Sequence, residues 1–343
     1  MSKRKEEINS FIFDNLETHP QDIIPITALH FNITKAAVSQ YIGSLVESGS
    51  VEATGKGRNR RFTLKDTVHV FSEIITPVLA EDQVWNNHIK PVLPQLKENI
   101  LAICHYGFTE IFNNVIDHSA SADTLFAVEF NSGNITMRIR DYGIGIFKRI
   151  KDAFNLSDER QAILELSKGK LTTDPSRHSG EGIFFTSRIF DDFSILSGEL
   201  FFGHSAENSD WLVSAKEAFV GTQVSMSISR ASNRTLQTVF DFYAGESLDY
   251  AFNKTTVAVT LSQNEGEHLV SRSQAKRILN RIDKFKEVVL DFSKIEFIGR
   301  AFADEIFRVY QNQHPEIKIV YTNANKQIEG LIHSIQSQNE GAC

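Results

Sequence analysis

The chain has 343 residues, 41% of them hydrophobic and 23% charged, with 36 Lys and Arg against 43 Asp and Glu for a net charge of -7. That length favours two or three domains over one, and the composition is that of a folded globular chain, not a disordered or fibrous one. Two cysteines, Cys104 and Cys343, exclude a disulfide framework and a Cys-rich zinc site; no apolar run nears the roughly 18 residues that cross a bilayer, and the polar start Met1-Ser-Lys-Arg-Lys-Glu-Glu7 leads into no signal-like stretch, so a reducing cytoplasm with no membrane contact is expected.

The first 65 residues carry nine Lys and Arg against seven acids, a net of +2 that leaves -9 for the remainder, so any nucleic-acid contact belongs at this end. Ile8, Phe11, Ile12 and Leu16 share one face of a predicted helix, and Ile26–Phe31 is a short second one. After a tight turn at Asn32, Thr34 caps a third helix in which Val38, Ile42 and Leu45 face one way. Beyond Gly49, residues 51–64 read as two strands around a glycine-bearing tip with four cations, Lys56, Arg58, Arg60 and Arg61. This pattern resembles a winged helix-turn-helix domain over residues 1–65. The resemblance implies a third helix in the major groove of double-stranded DNA, exposing Lys35, Ala36, Ser39 and Gln40, and a wing that neutralises phosphates. A solvated hairpin in a protein-binding domain is the alternative.

Residues 66–99 carry Pro77, Pro91 and Pro94 and are expected to be a helical connector. His88 and His105 lack the His-Glu-x-x-x-Pro setting of histidine kinases, which argues against autophosphorylation.

Three motifs follow in order. Glu110-Ile-Phe-Asn-Asn114-Val-Ile-Asp117-His118 lies in an apolar-periodic stretch, so Glu110, Asn114 and His118 stack at i, i+4 and i+8 on one helix face. A carboxylate there can orient or deprotonate water, and an amide oxygen can complete the shell of Mg²⁺; a plain wet face is the alternative. Asn134–Asp141 alternates as a strand and ends in Asp141-Tyr-Gly143-Ile-Gly145, whose carboxylate can accept from an exocyclic amine such as that of adenine. Gly180-Glu181-Gly182-Ile183 opens a helix, where free backbone N–H groups favour phosphate. A fourth piece, Phe219-Val-Gly221-Thr222, starts a strand with a hydroxyl available to a base or to Asp141.

Four such motifs in this order resemble the GHKL ATPase superfamily of gyrase, Hsp90, histidine kinases and MutL, over about residues 100–230. The resemblance implies an α/β sandwich in which Glu110 is the general base and Asn114 holds Mg²⁺. It further implies that Asp141 binds adenine and that Gly180 and Gly182 cradle the phosphates of ATP, with Asp117, His118, Gly143, Gly145, Glu181, Ile183 and Thr222 contributing to the site. Between Gly145 and Gly180 a helix over 157–166 is expected, then a polar lid in which Arg177, His178 and Lys168 or Lys170 are candidate γ-phosphate sensors.

Residues 245–340 alternate strand and helix: strand Thr256–Leu261, helix Ser273–Ile282, strand Val288–Phe292, helix Arg300–Tyr310, strand Ile317–Tyr321 and a last helix to about Ser337. Leu290-Asp-Phe-Ser-Lys-Ile-Glu-Phe-Ile-Gly299 before a helix resembles STAS-like domains, which implies a protein partner. Gly299, Arg300 and Ala301 stand where the signalling members carry a phosphorylated serine, so that switch is not expected.

The whole therefore reads as an α+β multidomain chain of winged helix, GHKL ATPase and STAS-like unit. Two functions are open. One is a DNA-binding transcription regulator, homodimeric in the simplest form, switched by Mg-ATP binding and slow hydrolysis. The other is a serine/threonine kinase of the anti-sigma-factor type acting on a partner protein.

Overall fold

A computed structural model describes residues 3–16, 18–172, 179–205, 209–244, 251–263 and 267–340. The first helices, α1 (Lys3–Asn15), α2 (Ile23–Phe31) and α3 (Lys35–Glu47), form where their apolar faces recur. Asn32 takes a left-handed conformation between α2 and α3, and the Thr34 hydroxyl accepts the Ala37 N–H at 3.2 Å to start α3. Strands β1 (Val51–Thr54) and β2 (Arg61–Leu64) pair antiparallel around a tip. Ile8, Ile12, Val38, Ile42, Val51 and Phe62 belong to a core that is separate from the rest of the molecule.

The 66–99 segment departs from the expected helical connector. Its first part is a strand, β3 (Thr67–Ile74), paired antiparallel with β4 (Asp123–Phe130) along its whole length. Only the later part is helical, α4 (Glu81–Val84) running into a π turn at Trp85–Ile89. The reason is visible in Val68, Val70, Ser72 and Ile74 alternating with His69, Phe71 and Glu73, a period of two that the prolines further on do not interrupt.

The central layer is the sheet β3-β4-β5-β7-β6, antiparallel throughout, with β5 (Asn134–Asp141), β6 (Asp192–Ser205) and β7 (Ser209–Ser229). Alternate residues Phe126, Val128, Ile135, Met137, Ile139, Val224 and Met226 are buried, as period two requires. They pack under α5 (Glu98–His118) and α8 (Gly182–Ile189), with Phe108, Ile111, Phe112 and Phe184 as the facing side chains. Two further helices, α6 (Ile146–Ala153) and α7 (Glu159–Lys168), cover the end of the sheet where β5 stops, and α7 runs two residues past the expected helix 157–166.

After α9 (Leu236–Ala244) comes a smaller parallel sheet, β10-β9-β8, made of β8 (Lys254–Ala258), β9 (Glu287–Asp291) and β10 (Lys318–Thr322). Its connections carry α10 (Arg272–Leu279) and α11 (Arg300–Asp304), which passes through a π turn into α12 (Gln311–Gln313); α13 (Lys326–Glu340) follows β10. Parallel strands require such crossovers. This unit and the central sheet share one continuous hydrophobic core, through Phe184, Phe185, Phe240, Tyr243, Phe252 and Phe285. Among the described residues no helix is long and apolar enough to cross a membrane.

Candidate functional site

A cleft enclosing about 860 Å³, mouth included, opens between α5, the end of β5, α6 and the start of α8. Its wall takes Asn114 and His118 from the first motif, Asp141 and Gly145 from the second, Gly180 and Ile183 from the third, and Thr222 from the fourth. Residues more than a hundred positions apart meet there because α5 lies across the sheet and ends beside the last residue of β5. Ile111, Val115, Ile139, Ile146 and Val224 supply an apolar lining suited to a flat ring.

Asp141 is the buried polar centre of this cleft, only 4% exposed, on the same sheet face as Met137 and Ile139. Its Oδ1 accepts the N–H of Gly143 at 2.9 Å and of Thr222 at 3.2 Å. The Thr222 hydroxyl also bonds the carboxylate and accepts the Ile146 N–H at 3.0 Å, fixing the start of α6. Burial pushes the Asp141 carboxyl above the usual carboxylate range, and these hydrogen bonds pull it back only in part.

Gly143 is behind the wall, not on it. A Cβ there would stand 1.8 Å from the Ser119 carbonyl oxygen, so the turn can press onto the end of α5 only without a side chain. The Ile144 N–H donates to that same oxygen at 3.1 Å, which couples the first motif to the second.

Along α5, Asn114 donates its amide N–H to the Glu110 carbonyl at 2.8 Å, leaving its side-chain oxygen as the free acceptor end. Glu110 and Glu181 face a second, more polar cavity of about 1220 Å³ with Tyr106, Ser179 and Asp241. Gly182 lines this second cavity: a Cβ on it would sit 1.9 Å from Glu110 Oε2, so the carboxylate rests directly on the first turn of α8. Asp117 lies on α5 away from the lining of the main cleft.

The lid cations divide differently from expectation. Lys168 does not line the cleft: it is 1% exposed, and its ammonium donates to Glu165 at 2.9 Å and to the carbonyls of Arg277 and Asn280 at 3.1 and 2.8 Å. Lys170 points to the C-terminal unit, donating to the Lys284 carbonyl at 2.9 Å. Arg177 and His178 lie outside the described residues. Arg149, Leu171 and Thr172 line the cleft and belong to none of the motifs: Arg149 donates to the His118 carbonyl at 2.6 Å, and Leu171 and Thr172 follow α7. Only the position of Arg149, four residues after Gly145 in the first turn of a helix, offered a signal for it.

In the N-terminal unit, Lys35, Ser39 and Gln40 are exposed along α3, and Lys56, Arg60 and Arg61 are exposed on the hairpin. Ser39 spends its hydroxyl on the Lys35 carbonyl at 2.9 Å, and the Arg60 guanidinium lies 4.9 Å from the Phe62 ring centre. The Arg58 side chain lies outside the described residues.

The chain is thus a mixed α/β protein with several sheets, a cleft at the end of the largest, and a C-terminal parallel unit. Residues 274–329, from α10 into α13, match the family model described as STAS-like domain of unknown function (DUF4325). Comparison of the chain with curated proteins gives no match.

Proposed function

We propose that the central cleft binds Mg-ATP as GHKL ATPases do, and that the chain is a DNA-binding regulator switched by the bound nucleotide and its slow hydrolysis. The observation that carries this reading is the convergence of all four motifs on one cleft whose single deeply buried carboxylate is Asp141. The residues fit the group. An apolar slot with one buried acceptor suits the adenine ring and its amine, and the start of α8 offers backbone N–H groups to phosphate. The Asn114 oxygen would hold Mg²⁺, whose remaining ligands would be water and phosphate oxygens. ATP supplies a transferable γ-phosphoryl group. Glu110, against Gly182 on the second cavity, would take a proton from the attacking water.

For the N-terminal unit, the exposed face of α3 and the cationic hairpin support a winged-helix mode of binding to double-stranded DNA. The working form we infer is a homodimer in which nucleotide state sets the spacing of two DNA heads. The C-terminal unit is the place for a protein partner.

One observation favours the kinase alternative. Glu110 opens onto a cavity far larger than a single water needs, with room for a hydroxyl-bearing side chain of a partner. The two readings separate in one experiment. A DNA shift assay with a random-sequence pool is run without nucleotide, with ADP and with a non-hydrolysable ATP analogue, beside a γ-labelled ATP reaction containing cell protein. Nucleotide-dependent shifts with label released as inorganic phosphate support the regulator. Label on a polypeptide, with no shift in any state, replaces it with the kinase.

A further inference from the structure

The contact between α7 and the C-terminal unit combines apolar packing of Ile163 and Leu166 in the shared core with a cluster of charged groups, and that cluster sits one residue away from the cleft. Lys168 ends α7, and its ammonium reaches the carbonyls of Arg277 and Asn280, the unsatisfied acceptors at the end of α10. The grip is returned. Asn280 donates its amide to Glu165 at 2.9 Å, and Arg281 Nε lies 3.6 Å from the other oxygen of that carboxylate. Arg281 also donates to the Lys170 carbonyl at 2.8 Å, joined there by the Lys284 ammonium at 3.3 Å. Thr255 at the edge of β8 donates its hydroxyl to the Lys168 carbonyl at 2.7 Å.

The chain at this contact holds two residues in the left-handed region without being glycine, Lys170 at φ 53° and Arg281 at φ 62°. Each such conformation costs about 1 kcal/mol or more, so it persists where its surroundings hold it. Lys170 is the last residue before the cleft. Leu171, next in the chain, lines the cleft and donates its N–H to the Gly180 carbonyl at 3.1 Å. Thr172 lines it too. The path from Arg281 to the glycine that opens the phosphate motif is therefore one side chain, one carbonyl and one backbone hydrogen bond.

We propose that Arg281, with Asn280 and Lys284, positions the phosphate end of the nucleotide cleft from the C-terminal unit. The adenine end is outside their reach, because Asp141 and Thr222 are held by β5 and β7 and by each other. The inference rests on the nucleotide reading and extends it: the STAS-like unit is part of the nucleotide site's scaffold, and whatever binds that unit acts on the phosphate loop. It accounts for a lysine and a carboxylate buried together at the end of α7, where a solvated helix end would leave both in water.

The test is calorimetric titration of the full chain with Mg-ATP, Mg-ADP and adenosine, for wild type, Arg281→Met, Arg281→Lys and Lys284→Met. Arg281→Met is expected to weaken both nucleotides about tenfold, as loss of a charged hydrogen bond does, with adenosine changed less than about twofold. Arg281→Lys should recover part of the loss. Lys284→Met, at an exposed side chain, should show a smaller loss of the same kind, about threefold. A thermal melt of each variant accompanies the titration, and if Arg281→Met is unfolded the Lys284 variant decides. Equal nucleotide affinity in the folded variants, or an equal fall for adenosine, overturns the positioning role while leaving the nucleotide reading intact. A wild-type protein that binds no nucleotide overturns both.

Discussion

Replacing Asp141 by Asn separates the fold from the ligand with unusual clarity. The Oδ1 atom of Asp141 accepts two backbone N–H groups, from Gly143 and Thr222, and an amide oxygen can accept both in the same place. The exchange therefore keeps the turn. It also removes a buried charge that burial already disfavours, so the melting temperature should stay level or rise slightly. What changes is the second oxygen, which becomes an NH₂ and would face the exocyclic amine of adenine donor to donor. Losing one charge-assisted hydrogen bond costs about 1.5–3 kcal/mol, which is roughly 10- to 150-fold in Kd at about 1.4 kcal/mol per decade. Calorimetry with Mg-ATP measures it, beside a melt. Inosine triphosphate, which presents a carbonyl oxygen where ATP presents an amine, should lose much less, so the ATP preference collapses. Affinity for ATP within about threefold of wild type, at equal melting temperature, would refute the adenine assignment.

The two close-approach glycines should part company. Gly182→Ala drives a Cβ into the movable end of Glu110, so the melt should shift little while phosphate release falls about a hundredfold or more; Gly143→Ala meets the fixed Ser119 carbonyl and should lose about 1–3 kcal/mol of stability by denaturant titration. Because burial raises the Asp141 carboxyl and the base needs it ionised, ATP affinity should fall on acidification at a pH above the ordinary Asp value of about 3.9, and Asp141→Asn should flatten that fall in a calorimetric pH series. Changing Arg58, Arg60 and Arg61 to Ala should weaken DNA binding and reduce the slope of log K against log salt by up to about 2.7. An unchanged slope would move the contact off the hairpin.

Much of this architecture is written in local spacing. Thr34 before Val38, Ile42 and Leu45 specifies α3, the alternation of Asn134–Asp141 specifies β5 and leaves its carboxylate on the buried face, and the strand and helix periods after Thr256 specify the unit that matches at residues 274–329. What escaped was non-local. β3 has a clear period of two, but the prolines after it drew the whole segment toward a connector, and only pairing with β4 makes it a strand of the central sheet. Lys168 stands in a polar run and looks like a lid cation; besides Glu165 on its own helix, its partners lie 109 and 112 residues away in the chain, at a helix end that no periodicity links to it. Arg149 was hidden for the same reason, since its acceptor is a backbone carbonyl on another helix.

The division of the cores constrains how a nucleotide signal would reach DNA. The N-terminal unit has its own core, whereas the central sheet and the C-terminal unit share one. The N-terminal unit is fastened to the sheet by the short link from β2 to β3, and Asn131, in the turn between β4 and β5, donates to Asp66 at 2.8 Å. That turn is at the start of β5, and Asp141 is at its end, about 23 Å away at roughly 3.3 Å per residue. A strand paired on both sides has one arrangement, and a switch needs two. Among the described residues of one protomer, then, β5, which runs from the cleft to the Asn131 turn, is no switch through which to move α3. The regulator reading we propose therefore works through a second copy: the nucleotide changes how two chains associate, and so the distance between their DNA heads. Nucleotide dependence of DNA affinity should therefore vanish below the dimer dissociation concentration measured by sedimentation. A shift that persists at full strength in the monomer range would refute that coupling and require a moving part inside the chain.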